Sequence, residues 1–452
     1  MTLIRNAWTV IDGQILQASV LIDGEIISDI CPVGQAGNLE PESRSTNADT
    51  IIDADGMWLM PGVIDDHVHF RDPGLTHKAD MATESRAAAA GGVTTVFDMP
   101  NCKPQTVTVN ALQDKFSHAA ETCIVNHSFY LGATHDNLDQ IEKIDPKRVC
   151  GVKLFMGSST GGMLVDDDIS IRNVFKSSPV PVAAHCEDSS IINANMVFYT
   201  EKCHGEPPVI YHPLIRSAEA CYASTSKAVE IATATDARLH VMHISTEREL
   251  GLFKAGALND KKITAECCPA HLWFTDRDYD RLGTLIKCNP AVKTESDRSA
   301  LRKALTCGVI DVIGTDHAPH LPSEKQGGCK SAASGMPVLP YSLPLMLELT
   351  EQGILSITDV VRLMCNNPAT LFNIDRRGFI RKGYKADLVL VSHISEGWTA
   401  DANDSPSKCG WTPFHGQTLH WKVNTTWVNG HPVYSNGMFD SNICGQAVTF
   451  KR

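Results

Sequence analysis

Apolar and polar positions alternate along the first sixty residues, in runs broken by turn residues: TLIRNAWTVIDG, then ASVLIDGEIISDICPVG, then TIIDADGMWLMPG. A period of two, with Asp12-Gly13 and Asp23-Gly24 between the runs, predicts a small antiparallel sheet built on hairpins. From about residue 60 the pattern changes to short, continuously apolar runs separated by helical stretches. These are HVHF, VTTVFDMP, CIVNHSFYLGA, CGVKLFMGS, VPVAAHCED, RLHVMHIST, KITAECCPAH and DVIGTDHAPH. Strands that are apolar on both faces and alternate with helices predict a parallel sheet, and eight of them predict an α/β (TIM) barrel with insertions. After about residue 378 the alternation returns, in RGFIRKGYKADLVLVSH and LHWKVNTTWVNGHPVYSNGMFD. Neither end has enough apolar residues for its own core. Residues 1–58 and 379–452 are therefore expected to join into one small β-sandwich domain beside a 59–378 barrel.

Composition narrows the partners. A length of 452 residues suits a large domain with a smaller companion. The net charge of −12 is spread along the chain, which disfavours a nucleic-acid or anionic-membrane partner and requires local cations to meet any anionic substrate. The 15 cysteines lie scattered in apolar segments without the spacing of a disulfide framework or a CxxC zinc knuckle, so reduced, mostly buried thiols are expected. MTLIRNAWTVIDG has no basic segment leading into a long apolar one, and no run approaches the length of a membrane span. The expected setting is the cytoplasm, and the expected partner a small molecule.

The polar residues at the C-terminal ends of the apolar runs supply candidate chemistry, because that end of an α/β barrel is where active sites are built. His67 and His69 are two apart, a spacing that on a strand points both rings to one face. Alone, His-X-His more often marks surface or packed histidines than ligands. His185 ends VPVAAH, His243 ends LHVMH, and Asp316 follows DVIGT. His240 lies an odd number of residues from His243, so one of the two is expected to face inward; His243, nearer the strand end, is the candidate and His240 a packed residue. Asp316 is a candidate ligand, base or both. Lys153 interrupts the apolar run CGVKLF. Desolvation lowers a buried amine's pKa, and a neutral amine can take up carbon dioxide to give a carbamate able to bridge two metal ions; equally, its ammonium can pair with a carboxylate at the barrel mouth. Residues 321–337, LPSEKQGGCKSAASGMP, read as a loop, either a plain connection or a lid.

The ordered set HVHFRDPG, MPN at 99–101, GVKLFMGSSTGGML, AHCED, HVMHIS, NPAVK and GTDHAPH, with NPATLFNI and KGYKADLVLV near the end, resembles the amidohydrolase superfamily and, within it, the dihydroorotases. The resemblance covers nearly the whole chain. It implies a distorted barrel, a β domain from both chain ends, and two Zn2+ ions. His67, His69 and Asp316 would bind the more buried ion and His185 and His243 the more exposed one, bridged by N6-carboxylated Lys153 and a hydroxide. Some similar dihydroorotases carry aspartate at the lysine position, so Lys153 places the chain with the carboxylated-lysine subset. Arg71, two residues beyond His69 on the same strand parity, would clamp the substrate carboxylate through its planar fork, Asn101 and His320 would help hold it, and Asn289 would contact the ring. Without the resemblance these read as a surface salt bridge, an Asx turn and a helix cap for Arg71, Asn101 and His320. The implied reaction interconverts dihydroorotate and N-carbamoyl-L-aspartate in pyrimidine (UMP) synthesis, with Asp316 as the proton carrier. At CCPAHL many relatives carry two adjacent histidines, so no role is assigned to His271. The family often forms dimers, and some members associate with aspartate transcarbamoylase; neither follows from these residues. The competing readings are a hydantoinase or dihydropyrimidinase, which lack the HFRDPG arrangement, an allantoinase, and an inactive amidohydrolase-like scaffold, whose signature would be a lost metal ligand.

Overall fold

A computed structural model describes residues 1–33, 48–157, 162–440 and 445–452. The eight predicted runs form eight parallel strands: β1 (Val63–Val68), β2 (Val93–Asp98), β3 (Asn126–Gly132), β4 (Gly151–Phe155), β5 (Val182–His185), β6 (Leu239–Val241), β7 (Ile263–Cys267) and β8 (Val312–Ile313). Each pairs with the next in sequence. Almost every residue on them is buried, as strands covered on both faces must be. Closure comes just past the strand ends, where Val68 bridges His317 and the His69 N–H donates to the His317 carbonyl at 2.8 Å. The barrel is thus joined at the edge that carries His67, His69 and Asp316.

Helices such as Met81–Ala90, Val109–Thr122, Ala218–Thr235 and Glu295–Ala304 pack between the strands. They start where an Asp, Ser or Thr stands as N-cap: the side chains of Asp80, Thr108, Ser217 and Thr294 each accept a backbone N–H of the first turn. The buried face of Val109–Thr122 shows the packing. Phe116 meets Phe129 of β3 edge to face at 4.9 Å, and burying a side chain of that size contributes about 1.5–3 kcal/mol.

Strands from both ends of the chain build a nine-stranded sheet. Trp58–Pro61 runs antiparallel to Leu388–Val391, in the register Pro61 to Leu388 and Trp58 to Val391. This pairing is the seam between the two ends. Ile4, Ile22, Ile27, Leu59, Leu388 and Trp427 form its apolar core. A buried polar cluster ties the sheet to the barrel: Arg377 pairs with Asp387, which also accepts from the Asn126 side chain at 3.1 Å and from the Asn429 N–H at 2.8 Å. Replacing Asp387 by alanine leaves the Arg377 charge buried and unpaired, at an expected cost of about 3–5 kcal/mol. Denaturant unfolding measures it; a loss below about 1 kcal/mol would mean that the arginine finds water or another partner.

Candidate metal centre and anion pocket

A cavity of about 620 Å3 opens at the C-terminal ends of the barrel strands, lined by His67, His69, Lys153, His185, His243 and Asp316 among others. His67 lies within β1 and His69 just beyond it, and both rings are buried. The Nδ1–H of His67 donates to Glu266 Oε1 at 2.9 Å, and the Nδ1–H of His69 to Asn101 Oδ1 at 2.7 Å. Both Nε2 atoms are then left with bare lone pairs. They face Asp316 Oδ1 at 3.3 and 3.1 Å. Two ring nitrogens and a carboxylate oxygen thus converge on one point, an arrangement that favours a cation between them. Burial pulls His69 down to about 4. At His67 burial acts the same way, but the Glu266 and Asp316 carboxylates outweigh it and the pKa rises. The field at that nitrogen thus calls for positive charge.

His185 ends β5 and His243 lies past the end of β6. The Nε2–H of His185 donates to Glu187 Oε2 at 2.9 Å, and Arg216 binds the same oxygen. The bare Nδ1 of His185 faces His243 Nε2 at 2.9 Å, while His243 Nδ1 is buried without a partner. Burial lowers the pKa of both rings, so both are neutral and available as ligands. Lys153 is fully buried on β4. Its Nζ reaches Met242 Sδ at 2.7 Å, and among the described residues it makes no ion pair. The carboxylate partner offered by the simpler reading is not there. Burial lowers its pKa to about 8. Imidazoles, a carboxylate and a dry amine, several with their outer nitrogens fixed by carboxylates, fit a divalent metal centre.

Three site residues adopt a left-handed backbone: Arg71 at φ 65°, His243 at 42° and Asp316 at 50°. Such conformations cost non-glycine residues on the order of 1–3 kcal/mol and cluster at functional sites. They also alter two expectations. Arg71 does not continue the strand parity of His69, because β1 stops at Val68 and the chain turns. Nor does alternation separate His240 from His243: the positive φ turns the His243 ring toward His185, while His240, 3.2 Å from Asp66 and 3.8 Å from Glu266, also faces inward. His240 also bonds Thr264 Oγ1 at 2.8 Å.

Arg71 is buried on the cavity wall, its Nε donating to the Pro319 carbonyl at 3.2 Å and an NH2 lying 3.1 Å from His320 Nε2. Among the described residues it has no ion pair. Lys78 lies beside it, 3.1 Å from His320 Nδ1 and 3.0 Å from Glu324 Oε1. Burial next to these cations keeps His320 neutral. Asn289 also lines the cavity, with its Oδ1 buried and unpartnered. Asn101 lines it too, but its amide oxygen serves His69. His271 donates to the Pro290 carbonyl at 2.9 Å and is not on the wall. From the 321–337 loop, Ser334 and Gly335 form wall. The loop is pinned: Lys325 Nζ donates to the carbonyls of Lys287, Ala333 and Gly335 at 3.1, 2.8 and 2.7 Å, and Glu206 accepts the N–H groups of Gly328, Lys330 and Ser331.

Glu187, Glu266 and Lys78 escaped the sequence reading. Glu266 sits in the apolar run ITAEC as Lys153 sits in CGVKLF, so an isolated charge on a buried strand was the available signal. Of the acids in DDHVHFRD, Asp65 accepts from Thr315 Oγ1 at 2.6 Å and locks β1 to the segment bearing Asp316; Asp72 accepts from the Met81 N–H and His118.

The chain matches the amidohydrolase family over residues 58–433. It is 35% identical to a dihydroorotase of Halobacterium salinarum over 89% of this chain and 92% of that protein. A dihydroorotase of Ehrlichia canis is 33% identical, over 92% and 91%. Among solved structures, the L-hydantoinase (dihydropyrimidinase) from Arthrobacter aurescens superposes with a TM-score of 0.90 at 27% identity, covering 99% of both chains.

Proposed function

Since the chain belongs to the amidohydrolase family and is a cyclic amidohydrolase, we propose that it is a dihydroorotase, interconverting dihydroorotate and N-carbamoyl-L-aspartate in pyrimidine synthesis. The observation that carries this reading is Arg71, a buried guanidinium that has no ion pair among the described residues, in the cavity that holds the metal-ligand set. A buried unpaired charge is costly unless something supplies the counter-charge. A substrate carboxylate does so, whereas the neutral ring of a hydantoin or dihydropyrimidine does not. The dihydroorotase relatives support the same choice.

His67, His69 and Asp316 would hold one zinc ion and His185 and His243 a second, and Lys153, as its carbamate, would serve as a further ligand. Such a metal pair, when bound, supplies Lewis acidity, lowering the pKa of water to about 7 and drawing charge from a carbonyl oxygen. The chain's residues do the rest. Arg71 pairs with the substrate carboxylate, Asn101 and His320 flank it, and Asn289 turns its free Oδ1 toward the ring N–H. Asp316 takes the proton from the attacking water as its oxygen bonds to the carbonyl carbon, and delivers it to the ring nitrogen as the C–N bond breaks. Ring closure runs through the same groups in reverse. Asp316 suits this work because burial raises its pKa while His67, His69 and Lys153 lower it further, leaving an ionised carboxylate at neutral pH.

The test is dihydroorotate turnover measured together with metal content: two zinc ions per chain and turnover confined to the carboxylated substrate are expected. Preferential turnover of hydantoin or dihydrouracil would transfer the chain to the hydantoinase class, a reading favoured by the likeness to the Arthrobacter aurescens enzyme. Native mass spectrometry should show one carbon dioxide added at Lys153 and lost on acidification. A native mass with two metals and no added carbon dioxide would remove the carbamate.

A further inference from the structure

Glu266, on β7 at the barrel centre, is fully buried and has no part in the proton transfer or the substrate contacts. A single oxygen, Oε1, accepts from the His67 ring Nδ1–H at 2.9 Å, from the His243 backbone N–H at 2.9 Å and from the Cys268 thiol at 3.5 Å. His67 lies on β1 and His243 just past the end of β6, and their rings are 5.3 Å apart. The other oxygen, Oε2, points to a space under Gly314 so narrow that a Cβ there would lie 2.7 Å from it. His240 closes the remaining side, between Glu266 and Asp66. The carboxylate is therefore packed on every side, and Oε1 has little freedom to leave its two histidines.

We propose that Glu266 is a positioning residue for the metal pair, with Oε1 acting as a common pivot that fixes the His67 ring and the strained His243 backbone at a set separation. The inference rests on the reading of His67 and His243 as metal ligands. Two effects follow from one contact. Donation from Nδ1–H to a carboxylate holds the ring in the tautomer with Nε2 free and makes Nε2 more basic. Acceptance from the His243 N–H stabilises a residue held at φ 42°, where the ring is carried toward His185 instead of along the strand. Loss of the pivot loosens ligands of both proposed metal positions at once, which an ordinary partner of one histidine would not do.

The experiment uses the metal-depleted protein reloaded with cobalt(II), following affinity by chelator competition and geometry by visible absorption. Glu266→Gln keeps the reach but loses the charge, and Glu266→Asp keeps the charge but loses the reach. Both are expected to weaken cobalt binding about 10–100-fold and to change the absorption of both cobalt ions, while the apo proteins melt close to the wild type. Wild-type affinity and an unchanged spectrum in both variants would overturn the inference. So would weakened binding that merely tracks a fall in apo-protein melting temperature, since that is a structural role. Should the wild type itself take up no cobalt, the metal reading fails first and this inference with it.

Discussion

Replacing Asp316 by asparagine is expected to lower turnover by about three to four orders of magnitude while the protein keeps most of its metal. Asparagine has nearly the same shape, and its amide oxygen can still face His67 and His69 Nε2 from the position Asp316 Oδ1 now holds, 3.3 and 3.1 Å away. What it lacks is a site for the proton. A carboxylate in the ionised form can take one from water and give it back to nitrogen; an amide oxygen is far too weak a base. The measurement pairs kcat with metal content, because loss of metal would explain the same fall by a different route. A variant with its metal and near-normal kcat would remove Asp316 from proton transfer. The folded backbone favours a clean outcome: Asp316 sits at φ 50°, a conformation that asparagine tolerates better than most residues.

Substituting methionine for Arg71 should weaken dihydroorotate binding roughly a hundred- to a thousandfold, in line with losing one member of a buried charge pair. An uncharged cyclic amide should lose only a few-fold. The contrast matters more than either figure. Arg71 also bonds the Pro319 carbonyl and approaches His320, so its removal disturbs the wall for any ligand; only the difference between charged and neutral substrates reports the carboxylate contact. Lys78, 3.1 Å from His320, remains as a second cation near the site, which sets the lower end of the expected loss. Equal losses for both substrates would mean that Arg71 shapes the pocket without reading charge.

Much of this architecture is legible in the chain. The change from alternating to continuously apolar runs near residue 60 reports the passage from a half-exposed sheet to strands covered on both faces, and all eight runs became barrel strands. Histidines and an aspartate at run ends could be grouped because parallel strands deliver their C-terminal ends to one place. Parity was less dependable. It assumes an extended backbone, and Arg71, His243 and Asp316 all leave that region at the point where the strands stop. The supporting carboxylates were harder still. Glu187 and Glu266 contact residues 2 and 199 positions away, and the second of these distances has no local trace. Asn101 shows the same limit: the MPN turn marks a loop residue, but not that its side chain faces His69.

The seam between the two chain ends has a consequence for how the protein is made. Trp58–Pro61 meets its antiparallel partner only at Leu388–Val391. During synthesis, at about 5–20 residues per second, that edge waits tens of seconds for its partner to emerge. An apolar strand with an open edge is a template for pairing with another chain. The period of greatest exposure to misassembly therefore falls before the ribosome has finished, and its length is set by translation speed rather than by the stability of the finished fold.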